Sequence, residues 1–189
     1  GQHDKVQVNI DRIVSAEKRL IALLNEVALI SRDQSGMLQF NPEPWDLHLL
    51  LDDLLEHISY LIQSNVKVII RRGVNRQVYM DNSLLLHIAG NLLSNAVKYS
   101  GDPAQIELGA TAMDDGLVCF WVRDNGAGIP PEQQAVLFTP FARIGQSHSN
   151  GYGLGLSIVR RIVERLGGEV SAQSCPDGST FSFTLPVST

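Results

Sequence analysis

Between residues 10 and 31 the apolar side chains recur every seven residues. Ile13, Leu20 and Val27 form one row, Ile10 and Leu24 the alternate row, and Val14, Ile21 and Ala28 widen the seam. A single helix cannot cover such a seam by itself. It calls for a partner helix, from a second copy of the chain or from a segment upstream, and packing onto the rest of the chain is the competing arrangement. After SRDQSG the segment FNPEPWDL carries two prolines, which forbid continuation of the helix and set a boundary within residues 36–46. The chain must therefore build a bundle-type helix first and something of different periodicity after it.

With 189 residues, 44% of them hydrophobic, that second part is large enough to bury a full core. Net charge is -5, from 15 Lys+Arg against 20 Asp+Glu, and no basic cluster carries the interleaved aromatics of a nucleic-acid surface. DNA and RNA are not expected as partners. No apolar run reaches bilayer length and no signal peptide opens the chain, so we expect a cytoplasmic segment without membrane contact, whose parent protein is free to be membrane-anchored. Cys119 and Cys175 lie in separate strand-like runs without metal-ligand spacing and read as free thiols.

Beyond the boundary the periods alternate. LHLLLDDLLEHISYLIQSN reads as a helix, VKVIIRR and QVYMD as β-rich runs, and Asp81 as the N-cap of a helix through HIAGNLLSNAVKYS. QIELGATA and LVCFWVRDN alternate apolar with polar around the turn MDDG, PEQQAVLF is a short helix, and GLGLSIVRRIVERLGG is a longer one ending on glycine. EVSAQS and STFSFTLPV close the chain as strands around CPDG. Short turns join most strands and helices intervene elsewhere. The expected fold is α+β, a two-layer α/β sandwich with a mixed, mostly antiparallel sheet, preceded by the long N-terminal helix.

Asparagine disfavours a helix interior, yet Asn91 and Asn95 lie four residues apart in an otherwise apolar helix. His87, Asn91, Asn95 and Lys98 fall on one stripe, either a solvated face or a row of amide oxygens and an ammonium turned to a metal-bound polyphosphate. Asp124 follows a strand in DNGAGIP, where Gly126 and Gly128 remove side chains from the path of a flat ligand. In GYGLGLSIV, Gly151, Gly153 and Gly155 open a helix whose free amides suit phosphates, at a spacing that is neither GxGxxG nor a P-loop. Between these glycine clusters LFTPFARIGQSHSN, with Phe138 and Phe141 flanking Pro140, reads as a loop hinged on aromatics.

In this order, the Asn-bearing helix, DNGAGI, LFTPFAR, GYGLGL and DGSTFSF closely resemble the ATP-binding domain of sensor histidine kinases, over about residues 46–187. RIVSAEKRLIALLNEVALISRDQSGML resembles the second helix of that family's dimerisation and histidine-phosphotransfer domain. The resemblance implies domains at 1–38 and 46–189. It implies that Asn95 ligates Mg²⁺, that Asn91 supports the ion, and that Lys98 adds charge near the phosphates of ATP. By the same resemblance Asp124 accepts a hydrogen bond from the adenine amino group, Gly126, Gly128 and Ile129 line the base pocket, and Tyr99 lies nearby. Gly151, Gly153, Leu154 and Gly155 would hold phosphates, Thr180 would close the adenine end, and residues 138–150, with Phe138 and Arg143, would form the lid. The implied partners are a response-regulator receiver domain and a second copy of the chain, paired through the N-terminal helix and a helix upstream of it.

The family's phosphoacceptor histidine lies in a motif close to H-E-x-x-T-P, and none of the five histidines, His3, His48, His57, His87 and His148, has those neighbours. The acceptor is therefore expected on a helix not present in this sequence, so that the chain alone binds Mg-ATP without phosphorylating itself. His87 stands where hydrolysing members of the superfamily carry a glutamate that activates water, which argues against an ATPase. A non-catalytic nucleotide-sensing scaffold is the remaining alternative.

Overall fold

A computed structural model describes residues 2–58, 66–73, 75–113, 116–142 and 153–186. The chain divides into two compact units, residues 1–39 and 40–189. The first is helix α1 (Gln2–Gln34), which runs well beyond the span marked by its apolar repeat. Ile10, Ile13, Leu20, Leu24 and Val27 are exposed on it.

The second unit opens with a strand that the sequence did not announce. β1 (Glu43–Asp46) lies inside the expected boundary segment and pairs antiparallel with β3 (Gln77–Met80), Pro44 facing Tyr79. Proline is tolerated because this two-stranded ribbon consists of edges. Asp46 caps the next helix, α2 (Leu47–Ile58), accepting from the backbone N–H of His48 and Leu49. The part of this helix expected over 59–65 lies outside the described residues.

Five strands form the main sheet: β2 (Val66–Arg72), β4 (Ala104–Ala112), β5 (Leu117–Asp124), β6 (Val170–Cys175) and β7 (Gly178–Pro186), in the order β2-β4-β5-β7-β6. Only the β2–β4 pair is parallel, as the mixed-sheet expectation requires. Strand alternation sends Ile106, Leu108, Val118, Phe120, Val122, Phe181, Phe183 and Leu185 to one buried face, where the rings of Phe120 and Phe183 stack at 5.1 Å. Helix α3 (Asn82–Tyr99) and helix α5 (Gly155–Arg165) pack on the sheet and on each other. They bury Leu85, Ile88, Leu92, Ile158, Val159, Ile162 and Val163, so the core is one layer of helices on one face of a sheet.

Asp81 caps α3 as expected, its carboxylate accepting from Leu84 N–H at 3.2 Å. The short helix α4 covers only Pro131–Gln134, less than PEQQAVLF suggested.

Candidate functional site

The inner face of the sheet is apolar along most of its length and turns polar at one end. Register places Asp124 opposite Ser179 and Ser179 opposite Ser174, all on the same face as Val122 and Phe181. Asp124 is only 5% exposed, and its Oδ1 accepts from Gly126 N–H at 2.8 Å and from Ser179 N–H at 3.3 Å. Burial pushes its carboxyl above the ordinary value, against the pull of those two N–H groups and of Arg123. A carboxylate kept where its charge is disfavoured is a candidate for binding rather than for stability.

Two glycines bring the neighbouring elements against it. A Cβ on Gly126 would collide with the carbonyl oxygen of Tyr99, the last residue of α3, and one on Gly128 with that of Cys175 at the tip of the β6–β7 hairpin. Gly128 also has φ +75°, a left-handed conformation that disfavours any side chain. Ser174 Oγ accepts from Ile129 N–H at 2.7 Å and shares a 2.8 Å hydrogen bond with Ser179 Oγ, which pins the hairpin to the DNGAGIP loop. Asn125 ties the same loop to the segment after α3, accepting from Gln105 N–H and donating to the Pro103 carbonyl.

On α3 the stripe is not a solvated face. His87, Asn91 and Asn95 are half-buried, and only Lys98 is exposed, its Nζ 4.9 Å from the centre of the Tyr99 ring. The Asn91 amide nitrogen donates to the His87 carbonyl at 3.0 Å, which turns Oδ1 toward Gly155, where a Cβ would strike it. Thus the middle of α3 meets the start of α5, and the end of α3 meets the Asp124 loop. Burial depresses the His87 imidazole, and its Nε2 is buried with no hydrogen-bond partner among the described residues.

Leu154 stands at the N-cap of α5 and offers no side-chain hydrogen bond to the first turn, leaving those amides to another acceptor. Phe141 N–H donates to the Gly153 carbonyl at 2.9 Å, and both residues have positive φ, 63° and 71°. A Cβ on Gly153 would lie 2.6 Å from the Ala142 carbonyl oxygen. The two ends of the loop expected as a lid are thereby clasped. Phe138 is half-buried just before the clasp, while Arg143, His148 and Gly151 lie outside the described residues.

The structure does not bring Thr180 to this end of the face. It pairs with Arg123 and Gln173 on the opposite side of the sheet, because side chains alternate along a strand. Ser179, one residue earlier, holds the position beside Asp124 instead. Ser174 and Asn125 were likewise not singled out in the sequence, since their partners are far away in the chain.

Residues 80–189, from the end of β3 through α3, the Asp124 loop and the last hairpin, match the family model for the histidine kinase-, DNA gyrase B- and HSP90-like ATPases. The chain belongs to this ATPase family. Among curated members it is 31% identical over 192 residues to the adaptive-response sensory kinase SasA of Prochlorococcus marinus (strain MIT 9303), covering 96% of this chain and 51% of that protein. It is 34% identical over 170 residues to the sensor protein KdpD of Escherichia coli (strain K12), covering 88% of this chain and 19% of KdpD. The chain thus spans about half the length of SasA and less of KdpD. The crystal structure of full-length ShkA in complex with AMPPNP superposes with a TM-score of 0.80 at 29% identity, over 90% of this chain and 36% of that one. Within this ATPase family the polar end of the sheet face, the Asn-bearing stretch of α3 and the start of α5 are the candidate nucleotide site. Among the described residues no group of three or more His, Cys, Asp or Glu side chains is placed to hold a metal, and no helix is long and apolar enough to cross a membrane.

Proposed function

We propose that residues 46–189 are the ATP-binding catalytic domain of a sensor histidine kinase and residues 1–38 the second helix of its dimerisation and histidine-phosphotransfer domain. The domain transfers the γ-phosphoryl group of Mg-ATP to a histidine on a helix not present in this sequence, from which it passes to an aspartate of a response regulator. The observation that carries this reading is the buried Asp124 carboxylate at the end of an apolar face, with Gly126 and Gly128 opening the backbone beside it. A carboxylate there accepts from the amino group of adenine and rejects guanine, which presents an acceptor at the same place. Ile129 lines the base, Tyr99 borders it, and Ser179 holds the carboxylate.

The amide oxygens of Asn95 and Asn91 suit Mg²⁺, a hard cation that takes few protein ligands and fills its shell from water and phosphate. When bound, the ion neutralises charge on the phosphates. The backbone amides at the start of α5, with Gly153, Leu154 and Gly155, take the phosphates, and Lys98, Gly151 and Arg143 add to that end. The domain supplies position and charge, and His87, half-buried with its imidazole pKa depressed by burial, stands in place of the glutamate base that would activate water. Pairing through the α1 seam and an upstream helix makes the protein a homodimer.

The test is equilibrium binding followed by labelling. The chain should bind Mg-ATP in preference to Mg-GTP, and Asn95→Ala combined with Asp124→Ala should abolish binding; unchanged affinity in that double variant would refute the site. Incubated with γ-labelled ATP, the chain should acquire no acid-labile label of its own. Stable label on it would contradict the assignment of the acceptor to another helix.

A further inference from the structure

The far end of α3 from the candidate nucleotide site carries a joint that the proposed function does not use. Asp81 is 9% exposed, and its two carboxylate oxygens do different things. Oδ1 caps the helix, accepting from Leu84 N–H at 3.2 Å and from Ser83 Oγ at 2.6 Å. Oδ2 accepts from the backbone N–H of Asn41 at 3.1 Å, in the segment that leads from α1 into β1. That bond prolongs the β1–β3 ladder, whose outermost pair is Glu43 with Met80, by one side-chain step. One carboxylate therefore grips both the segment entering the second unit and the helix that presents Asn91 and Asn95, about 15 and 21 Å further along at about 1.5 Å per residue.

An open cleft lies beside this joint. The cleft, of about 230 Å³, is lined by Phe40, Pro42, Met80, Leu85, Leu166 and Leu185, and Phe40 is itself exposed. Close-packed interiors resist displacement, whereas an open cleft beside a tethered segment lets that segment reseat without moving the core. The cleft collects residues from the entering segment, from the start of α3 and from the end of α5, and the middle of α3 meets the start of α5 at Asn91 and Gly155.

We propose that Asp81 is a positioning residue that couples the seating of residues 40–46 to the nucleotide state of α3. The inference rests on the reading of Asn91 and Asn95 as nucleotide-site residues. Coupling of this kind is reciprocal: if nucleotide binding stiffens the segment, a displaced segment weakens nucleotide binding.

Amide hydrogen exchange on the 189-residue chain, with and without saturating Mg-ATP, tests it. In the unaltered chain Mg-ATP should slow exchange of the Glu43, Trp45 and Asp46 amides several-fold. Asp81→Asn keeps an oxygen for Leu84 but puts an N–H₂ donor against the Asn41 N–H, and Asn41→Pro removes that N–H while leaving the cap intact. Both variants should bind Mg-ATP and protect the α3 and Gly126 amides, and both should lose the response at residues 43–46. A carboxylate that served only as a helix cap would leave the response intact in Asn41→Pro, and that result would overturn the proposal. Binding of Mg-ATP by the unaltered chain with no response at 43–46 would overturn this inference alone; failure of that chain to bind Mg-ATP would overturn the nucleotide reading and this coupling with it.

Discussion

At the scale of single residues, Asp124 carries opposed demands. Its folded pKa is raised by burial, so its charge destabilises the domain increasingly as pH climbs from the ordinary value of 3.8 through the raised one, and fully above that. Asp124→Asn keeps an acceptor for Gly126 and Ser179 and removes the charge. We therefore expect it to be at least as stable as the parent at pH 7, measured by urea unfolding, with the difference vanishing below pH 3.8. The same change turns a donor toward adenine and should weaken ATP binding by roughly tenfold or more, equivalent to about 1.4 kcal/mol or above. Gly128 and Gly116 separate torsion from contact, since both have φ +75° but a Cβ on Gly116 meets nothing within 4 Å. Gly116→Ala should cost about 1–2 kcal/mol, the torsional penalty alone, whereas Gly128→Ala should cost more and lose nucleotide, because the Cys175 carbonyl must move. Asp124, Gly126 and Gly128 were legible in the sequence because their chemistry is local. Ser179 was not, since whether residue 179 or 180 reaches the inner face depends on the register of β7 against β5.

Among the elements, α1 and α3 were read well for different reasons. The heptad pattern of α1 announced the helix and an apolar seam that one helix cannot cover by itself, and the exposed row has a direct consequence. If α1 pairs with a second copy, Ile13→Asp together with Leu20→Asp should shift the chain to monomer in sedimentation velocity while leaving ATP binding by the other unit unchanged. Helix α3 was legible from its cap and its apolar period, and the structure adds that its amide stripe is half-buried. Strand β1 was illegible because four residues containing proline read as a linker, and only the pairing with residues 77–80 makes them a strand.

For the molecule as a whole, acid should loosen the second unit through His87. Its folded pKa lies below the ordinary 6.5, so the stability it contributes is complete above that value and is lost as pH falls through the depressed one. Replacing it by Leu should flatten the pH dependence of the melting temperature just below pH 6.5, with no change in slope above it. Taken alone, the sequence determined the succession of helices and strands, the mixed sheet and the ordered run of motifs that places the chain in its ATPase family. These are written in periodicities and in side chains whose chemistry acts within a few residues. Only the tertiary structure decided which serine stands beside Asp124, that the two ends of the loop after Phe138 are clasped through Phe141 and Gly153, and that Asp81 holds Asn41. The first and the last depend on which strands pair and in what register, and contact across 40 or 55 residues is set by the burial of the whole core rather than by any local run of the chain.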